Sequence, residues 1–207
     1  DIKTDNFVLT TWNWVCLTDF AYYKPVFLPD TDPSVFSYFF DSTGRRTCYL
    51  APERLQQRTF SAIQSTSVDS HLNAGMDVFS VGCVFVELFL DSHEPLFDLG
   101  SLRDYRDGNY DPTNVINGIE DKTIVELIRH MIQVDPKQRL SIGEYLTQYT
   151  GTIFPKEFQY VMYPAFLKAS NASYDGRIRL AYASLAVLEE DVTLTGDLWE
   201  AAALDQA

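Results

Sequence analysis

Asp1-Ile2-Lys3-Thr4-Asp5-Asn6 puts an Asp, a Lys two residues on and an Asn five residues on into one short loop. Thirteen residues after the Asn comes Asp19-Phe20-Ala21. Between these loops lie two short β-rich runs, Phe7-Val8-Leu9 and Val15-Cys16-Leu17, parted by the polar and aromatic stretch Thr10 to Trp14. Apolar, β-favouring runs around a polar turn predict a small hairpin. Its two ends meet, so the acidic loops become neighbours, which constrains the fold more than any other feature of the chain.

This pair of motifs resembles the catalytic loop and the metal loop of a protein-kinase-like fold. Phosphoryl transfer asks for placement and charge neutralisation more than for covalent chemistry. Asp1 would accept a hydroxyl proton and orient the nucleophile, and Lys3 would stabilise the phosphoryl group in transfer. Asn6 and Asp19 would hold Mg2+ against nucleotide phosphates, since oxygen ligands suit that hard cation. Phe20 would pack behind the metal loop. More of the scaffold follows in order: Ala51-Pro52-Glu53, then Asp77-Val78-Phe79-Ser80-Val81-Gly82, then Asp135-Pro136 with Arg139. Glu53 needs a buried cation, and the fork of Arg139 is the matching partner. Asp77 would accept hydrogen bonds from the catalytic-loop backbone and hold it rigid.

The fold class expected is mainly α: a kinase-like C-lobe with a small β-hairpin at the site, plus a fragment of HEAT-type helical repeat. Residues 22 to 50 read as irregular because Pro25, Pro29 and Pro33 interrupt any long helix. The aromatics of 27 to 40 would dock a partner or mask the substrate groove. Gly75 to Leu90 reads as an apolar central helix. Shorter helices are expected over Ser101 to Arg106 and Lys122 to Val134. Another should start at a Ser141/Glu144 capping box and run to Tyr149. Two domains follow, 1–168 for the C-lobe and 169–207 for a linker and helical segment. The polar break at Ser170-Asn171-Ala172-Ser173 marks either a boundary or a join between separated stretches. The pattern also predicts an N-terminal lobe ahead of residue 1.

A net charge of -13 argues against a nucleic-acid surface. Three scattered cysteines make neither a disulfide framework nor a metal pair and point to a reducing compartment. His71, His93 and His130 lack metal-ligand spacing.

The resemblance narrows further. Thr11-Trp12-Asn13-Trp14-Val15, Leu17-Thr18-Asp19-Phe20-Ala21 and Arg45-Arg46-Thr47-Cys48-Tyr49-Leu50-Ala51-Pro52-Glu53-Arg54 resemble the kinase-like regulatory subunits, of vacuolar-protein-sorting type, of class III phosphatidylinositol 3-kinase complexes. Arg177 to Ala183 is similar to part of their helical-repeat region. The resemblance implies a myristoylated scaffold of kinase-like domain, helical repeats and WD-repeat propeller. Mg2+ with ATP or GTP is the implied cofactor. Its implied partners are the lipid kinase catalytic subunit and a Beclin-type subunit with its autophagy or endosomal adaptor. The implied location is cytoplasmic and peripheral, on endosomal, vacuolar or lysosomal, and autophagosomal membranes.

Two departures from ordinary protein kinases stand out. Ala21 replaces the metal-loop Gly, and Arg45-Arg46 stands where those kinases place Gly-Thr, so the Thr that bridges the catalytic Asp and Lys is missing unless Thr47 serves. Two function classes stay open: a nucleotide-binding regulatory scaffold, and a working serine/threonine kinase acting on itself or on partners.

Overall fold

In the computed structural model, which describes residues 1–9, 15–41, 44–56, 72–156 and 173, two antiparallel strands bind the acidic loops together. Strand β1 (Phe7–Leu9) pairs with β2 (Val15–Leu17) in the register Phe7 to Leu17 and Leu9 to Val15. Most of the hairpin is exposed, so its ladder, more than its packing, sets its shape. Beyond it the described chain is rich in helix, with one further pair of two-residue strands. Strand β3 (Leu28–Pro29) runs parallel to β4 (Leu55–Gln56), and the Asp30 amide extends the ladder by donating to the Gln56 carbonyl at 2.8 Å.

The stretch expected to be irregular contains a helix. Helix α1 (Pro33–Phe39) begins with Asp32, whose carboxylate accepts from the Ser34 amide at 3.0 Å. Pro33 sits at the first helical position, where a missing N–H costs nothing and the fixed φ is already helical. The proline that read as a breaker is a starter. Phe27 and Phe36 are buried in the core and Phe40 is half-buried against it, so these three are structural, whereas Tyr38 of the same stretch is 77% exposed.

Helix α2 (Gly75–Phe89) is the centre of the first unit. It buries Met76, Val78, Phe79, Cys83, Val84 and Val86, while Leu88 and Phe89 at its end are exposed. Phe79 stacks on Phe97, which in turn stacks on Tyr105 of α3 (Leu99–Arg106). Asp98 caps α3 reciprocally with Ser101. After the four-residue α4 (Thr113–Ile116), α5 (Lys122–Met131) starts at Asp121, which accepts from the Thr123 and Ile124 amides. It ends at Met131, earlier than the pattern predicted, and a 3-10 turn follows at Pro136–Gln138. Gly82 marks the closest approach of α2 to the end of α5: a Cβ there would stand 2.8 Å from Ile132 Cγ2 and 3.0 Å from Met131 Cβ.

Helix α6 (Ile142–Tyr149) carries the predicted capping box, with the Ser141 amide donating to Glu144 at 2.8 Å and the Glu144 amide donating to Ser141 Oγ at 3.3 Å. The fold divides into two compact units, Asp1–Glu144 and Tyr145–Ala207. In the second, Tyr145 stacks on Tyr149 and a bridge joins Thr150 to Phe154. The expected boundary at 168/169, the HEAT-type fragment and the helices after Arg177 lie outside the described residues.

Two outcomes follow from this packing. Gly82→Ala should destabilise the protein by about 1–3 kcal/mol, because the clash is with packed side chains at a helix crossing; a lowered denaturant midpoint at unchanged slope reads it. Burial pushes the Cys48 thiol up to about 12 and the Cys83 thiol well above its ordinary value, whereas Cys16 is exposed. A thiol reagent at pH 8 should therefore modify Cys16 in the folded protein and reach Cys48 and Cys83 only on unfolding, which peptide mass mapping would show.

Candidate phosphoryl-transfer site

A 3-10 turn at Thr4–Asn6 folds the first loop back so that Asn6, 4% exposed, lies under Asp1. Asn6 Nδ2 donates to the Asp1 carbonyl at 2.8 Å and to Asp1 Oδ2 at 3.2 Å, and reaches the Asp19 carbonyl at 3.5 Å. The Asn6 carbonyl is held by the amide and hydroxyl of Thr18, at 2.8 and 3.1 Å. Asp1, Asn6 and the Asp19 backbone thus meet across the hairpin's base. With Nδ2 set against three oxygens, the amide oxygen is the atom of the Asn6 side chain that could serve a cation.

Metal fit follows from the donor chemistry. Among the described residues no cluster of three or more His, Cys, Asp or Glu could hold a cation alone. One carboxylate and one amide oxygen, completed by phosphates and water, is the kind of set Mg2+ accepts. Asp19 and Asn6 fit that set.

Other expected residues are placed differently. Among the described residues no hydrogen bond or ion pair joins Lys3 to Asp1, although both line one small pocket with Thr47; Lys3 Nζ lies 3.9 Å from Asp5. The cation on Asp1 is Lys24, whose Nζ lies 2.5 Å from Oδ2. Phe20 was expected behind the metal loop but is 75% exposed. Asp19 (φ 55) and Ala21 (φ 39) both adopt left-handed backbone, and between them the Phe20 ring turns outward to line an open cavity of about 430 Å3 with Asp1, Lys24, Arg54 and Asp77. Asp77 is exposed in the first turn of α2, and no hydrogen bond from it to the first loop stands among the described residues.

Glu53 and Arg139 meet as a fork, at 2.7 and 3.0 Å. The remaining Arg139 donors reach the carbonyls of Gln133 at 2.7 Å, Gly75 at 2.8 Å and Val134 at 3.1 Å, and the guanidinium lies over the Phe79 ring. This joins the Ala51-Pro52-Glu53 turn, the start of α2 and the end of α5.

Several residues that frame the site carried no signal of their own. Arg54 donates to the carbonyls of Val26 at 2.6 Å and Pro25 at 3.1 Å, pinning the segment after the metal loop. Burial pulls its guanidinium down to about 10, which leaves it charged at neutral pH. Asp30 is shared by Arg103 and Arg106, each at 2.9 Å, fixing the start of α1 to α3. Thr4 hydrogen bonds Tyr49 at 2.9 Å and Glu87 at 3.1 Å, and Tyr49 donates to the same Glu87 oxygen at 2.5 Å. Burial first, then that carboxylate, holds the Tyr49 phenol well above its usual range. Arg46, where ordinary kinases have the bridging Thr, is left-handed at φ 59 and exposed, its amide on Asp41 at 3.0 Å.

A protein kinase domain family model matches residues 1–149. Serine/threonine-protein kinase VPS15 of Arabidopsis thaliana is 48% identical over 158 residues, 76% of this chain and 10% of the relative. The probable serine/threonine-protein kinase vps15 of Dictyostelium discoideum is 47% identical over 161 residues, 77% of this chain and 8% of the relative. Serine/threonine-protein kinase VPS15 of Saccharomyces cerevisiae is 37% identical over 203 residues, 97% of this chain and 14% of the relative. The chain therefore spans about a tenth of the length of these curated relatives.

The Glu53–Arg139 fork yields a measurable coupling. Glu53→Ala strands a guanidinium whose side chain is 0% exposed and should cost about 3–5 kcal/mol. Replacing both residues, Glu53→Leu with Arg139→Met, should cost clearly less than the two single changes added together, in a double-mutant cycle of unfolding free energies.

Proposed function

We propose, from the premise that this chain belongs to the protein kinase domain family and is of the VPS15 type, that it is part of the nucleotide-binding, kinase-like domain of a regulatory scaffold. In this reading the full protein is a subunit of a class III phosphatidylinositol 3-kinase complex. It positions or restrains the lipid kinase beside a Beclin-type subunit on endosomal, vacuolar or autophagosomal membranes.

The observation that carries the reading is an asymmetry within the site. The residues that would hold a metal-bound nucleotide, Asn6 and Asp19, stand together at the hairpin's base. The residues that would serve an acceptor are altered: Arg46 stands in place of the bridging Thr, and Lys3 Nζ lies 3.9 Å from Asp5, while Thr47 lines a small pocket with Asp1 and Lys3. Asn6 supplies an amide oxygen fixed from behind by its own hydrogen bonds, and Asp19 supplies a carboxylate at the exposed edge. When bound, Mg2+ would neutralise the charge of the nucleotide phosphates. Asp1 orients Asn6 through two contacts, so its part in this reading is largely structural.

The second reading is a working serine/threonine kinase, favoured by the presence of Asp1, Lys3, Asn6 and Asp19 and by the names that the relatives carry.

The test uses the full-length protein in its complex. Nucleotide released by denaturation should be ATP or GTP near one per protein. Asp19→Ala should lower it at least tenfold, and chelation of Mg2+ should release it. Phosphate transfer that is present in wild type and lost in Asp1→Asn, with the complex intact, would replace the regulatory reading by the kinase one.

A further inference from the structure

We propose that Lys24 is a built-in occupant of the acceptor position, an internal cation seated on Asp1 where a substrate hydroxyl would stand. The proposal deepens the regulatory reading above and rests on it. A hydroxyl about to be phosphorylated must come within hydrogen-bond reach of the carboxylate that takes its proton, about 2.6–3.2 Å. Lys24 Nζ already occupies that shell at 2.5 Å from Asp1 Oδ2. Asn6 Nδ2 takes the same oxygen from the other side.

The contact is built into the fold and is not a surface pairing. The side chains of Lys24 and Asp1 are only 11% and 8% exposed, so the pair is largely shielded from water and salt. The Lys24 amide closes a turn onto the Ala21 carbonyl at 3.0 Å, which places the side chain directly after the left-handed metal loop. Arg54 grips the next two carbonyls, Pro25 and Val26. The Phe40 ring takes both cations, with Lys24 Nζ 5.2 Å and the Arg54 guanidinium 5.1 Å from its centre. Phe40 itself is delivered by α1, and α1 is tied to α3 through Asp30 and its two arginines. The whole segment from 21 to 40 therefore converges on seating one ammonium.

For transfer to proceed, the bond between the γ-phosphorus and the β–γ bridging oxygen breaks and a bond from phosphorus to the acceptor oxygen forms. The acceptor's proton passes to Asp1, and the nucleoside diphosphate leaves with the bridging electron pair. An ammonium on Asp1 excludes the acceptor while leaving Asn6 and Asp19 in place. That separates nucleotide retention from transfer.

The experiment uses the full-length complex with added Mg-ATP or Mg-GTP and compares wild type with Lys24→Met, Lys24→Arg and Lys24→Met/Asp1→Asn. Lys24→Met should raise autophosphorylation or nucleotide hydrolysis at least tenfold. Lys24→Arg, which keeps the cation, should stay near wild type, and the double variant should lose the gain. Unchanged or lower transfer in a Lys24→Met complex that assembles and still holds nucleotide would overturn the proposal. A second reading needs neither nucleotide nor a Lys24 variant. Acylation of Lys24 by an amine-reactive ester, followed by mass spectrometry, should rise at least threefold in Asp1→Asn, and an unchanged rate would overturn the pairing. Nucleotide content of wild type is measured separately, so loss of the regulatory reading is told apart from loss of this one.

Discussion

Arg139 is the contact on which the rest of this structure depends. A guanidinium carries five N–H donors in a rigid plane, and burying it without partners would cost far more than one interaction usually returns. Here the donors meet Glu53 and the three carbonyls of Gly75, Gln133 and Val134, while its face lies over Phe79. The demand for complete satisfaction selects one mutual arrangement of the Ala51-Pro52-Glu53 turn, the head of α2 and the exit of α5. Small cores are soft to sliding, since apolar contacts are non-directional. A fully satisfied fork is directional, and it converts a greasy assembly into a registered one.

From that frame the order propagates outward to the site. The Glu53 turn places Arg54, which holds Pro25 and Val26. Ser80 in α2 donates to the Tyr49 carbonyl at 2.7 Å, and Glu87 near the end of the same helix receives Tyr49 and Thr4. The acidic loop of residues 1–6 is thus anchored through side chains to the central helix and, through its backbone, to the hairpin. Polar groups half-removed from water make these contacts sensitive to loss, because an abandoned partner has no solvent to turn to.

What the chain disclosed in advance followed from how local the cause was. The hairpin was legible because Phe7-Val8-Leu9 and Val15-Cys16-Leu17 carry their own β preference. The Ser141 start was legible because a capping box is a four-residue signal, and α2 because apolar residues crowd its faces. The Glu53–Arg139 pairing could be read across 86 positions only because both residues sit in motifs with a known order. Helix α1 was missed because three prolines outweighed the one arrangement, Asp32 then Pro33, that starts a helix. Lys24 at Asp1 was invisible: a single lysine in a run of tyrosines and prolines has no periodicity, and its role comes from a turn, a clamp and a ring supplied by distant residues. Phe20 was placed wrongly because its direction depends on two left-handed dihedrals that no composition reveals.

Those dihedrals set a preference that one methyl group controls. An L-residue other than glycine pays about 1–2 kcal/mol to remain left-handed, and Ala21 does so at φ 39. Converted at room temperature, that is roughly a five- to thirty-fold weighting against the observed geometry which glycine would not carry. The loop therefore keeps its shape on the strength of its neighbours rather than its own inclination. Any ligand that favours another shape starts with that weighting already on its side. The responsiveness of the acidic loop is in this sense written in a single methyl group.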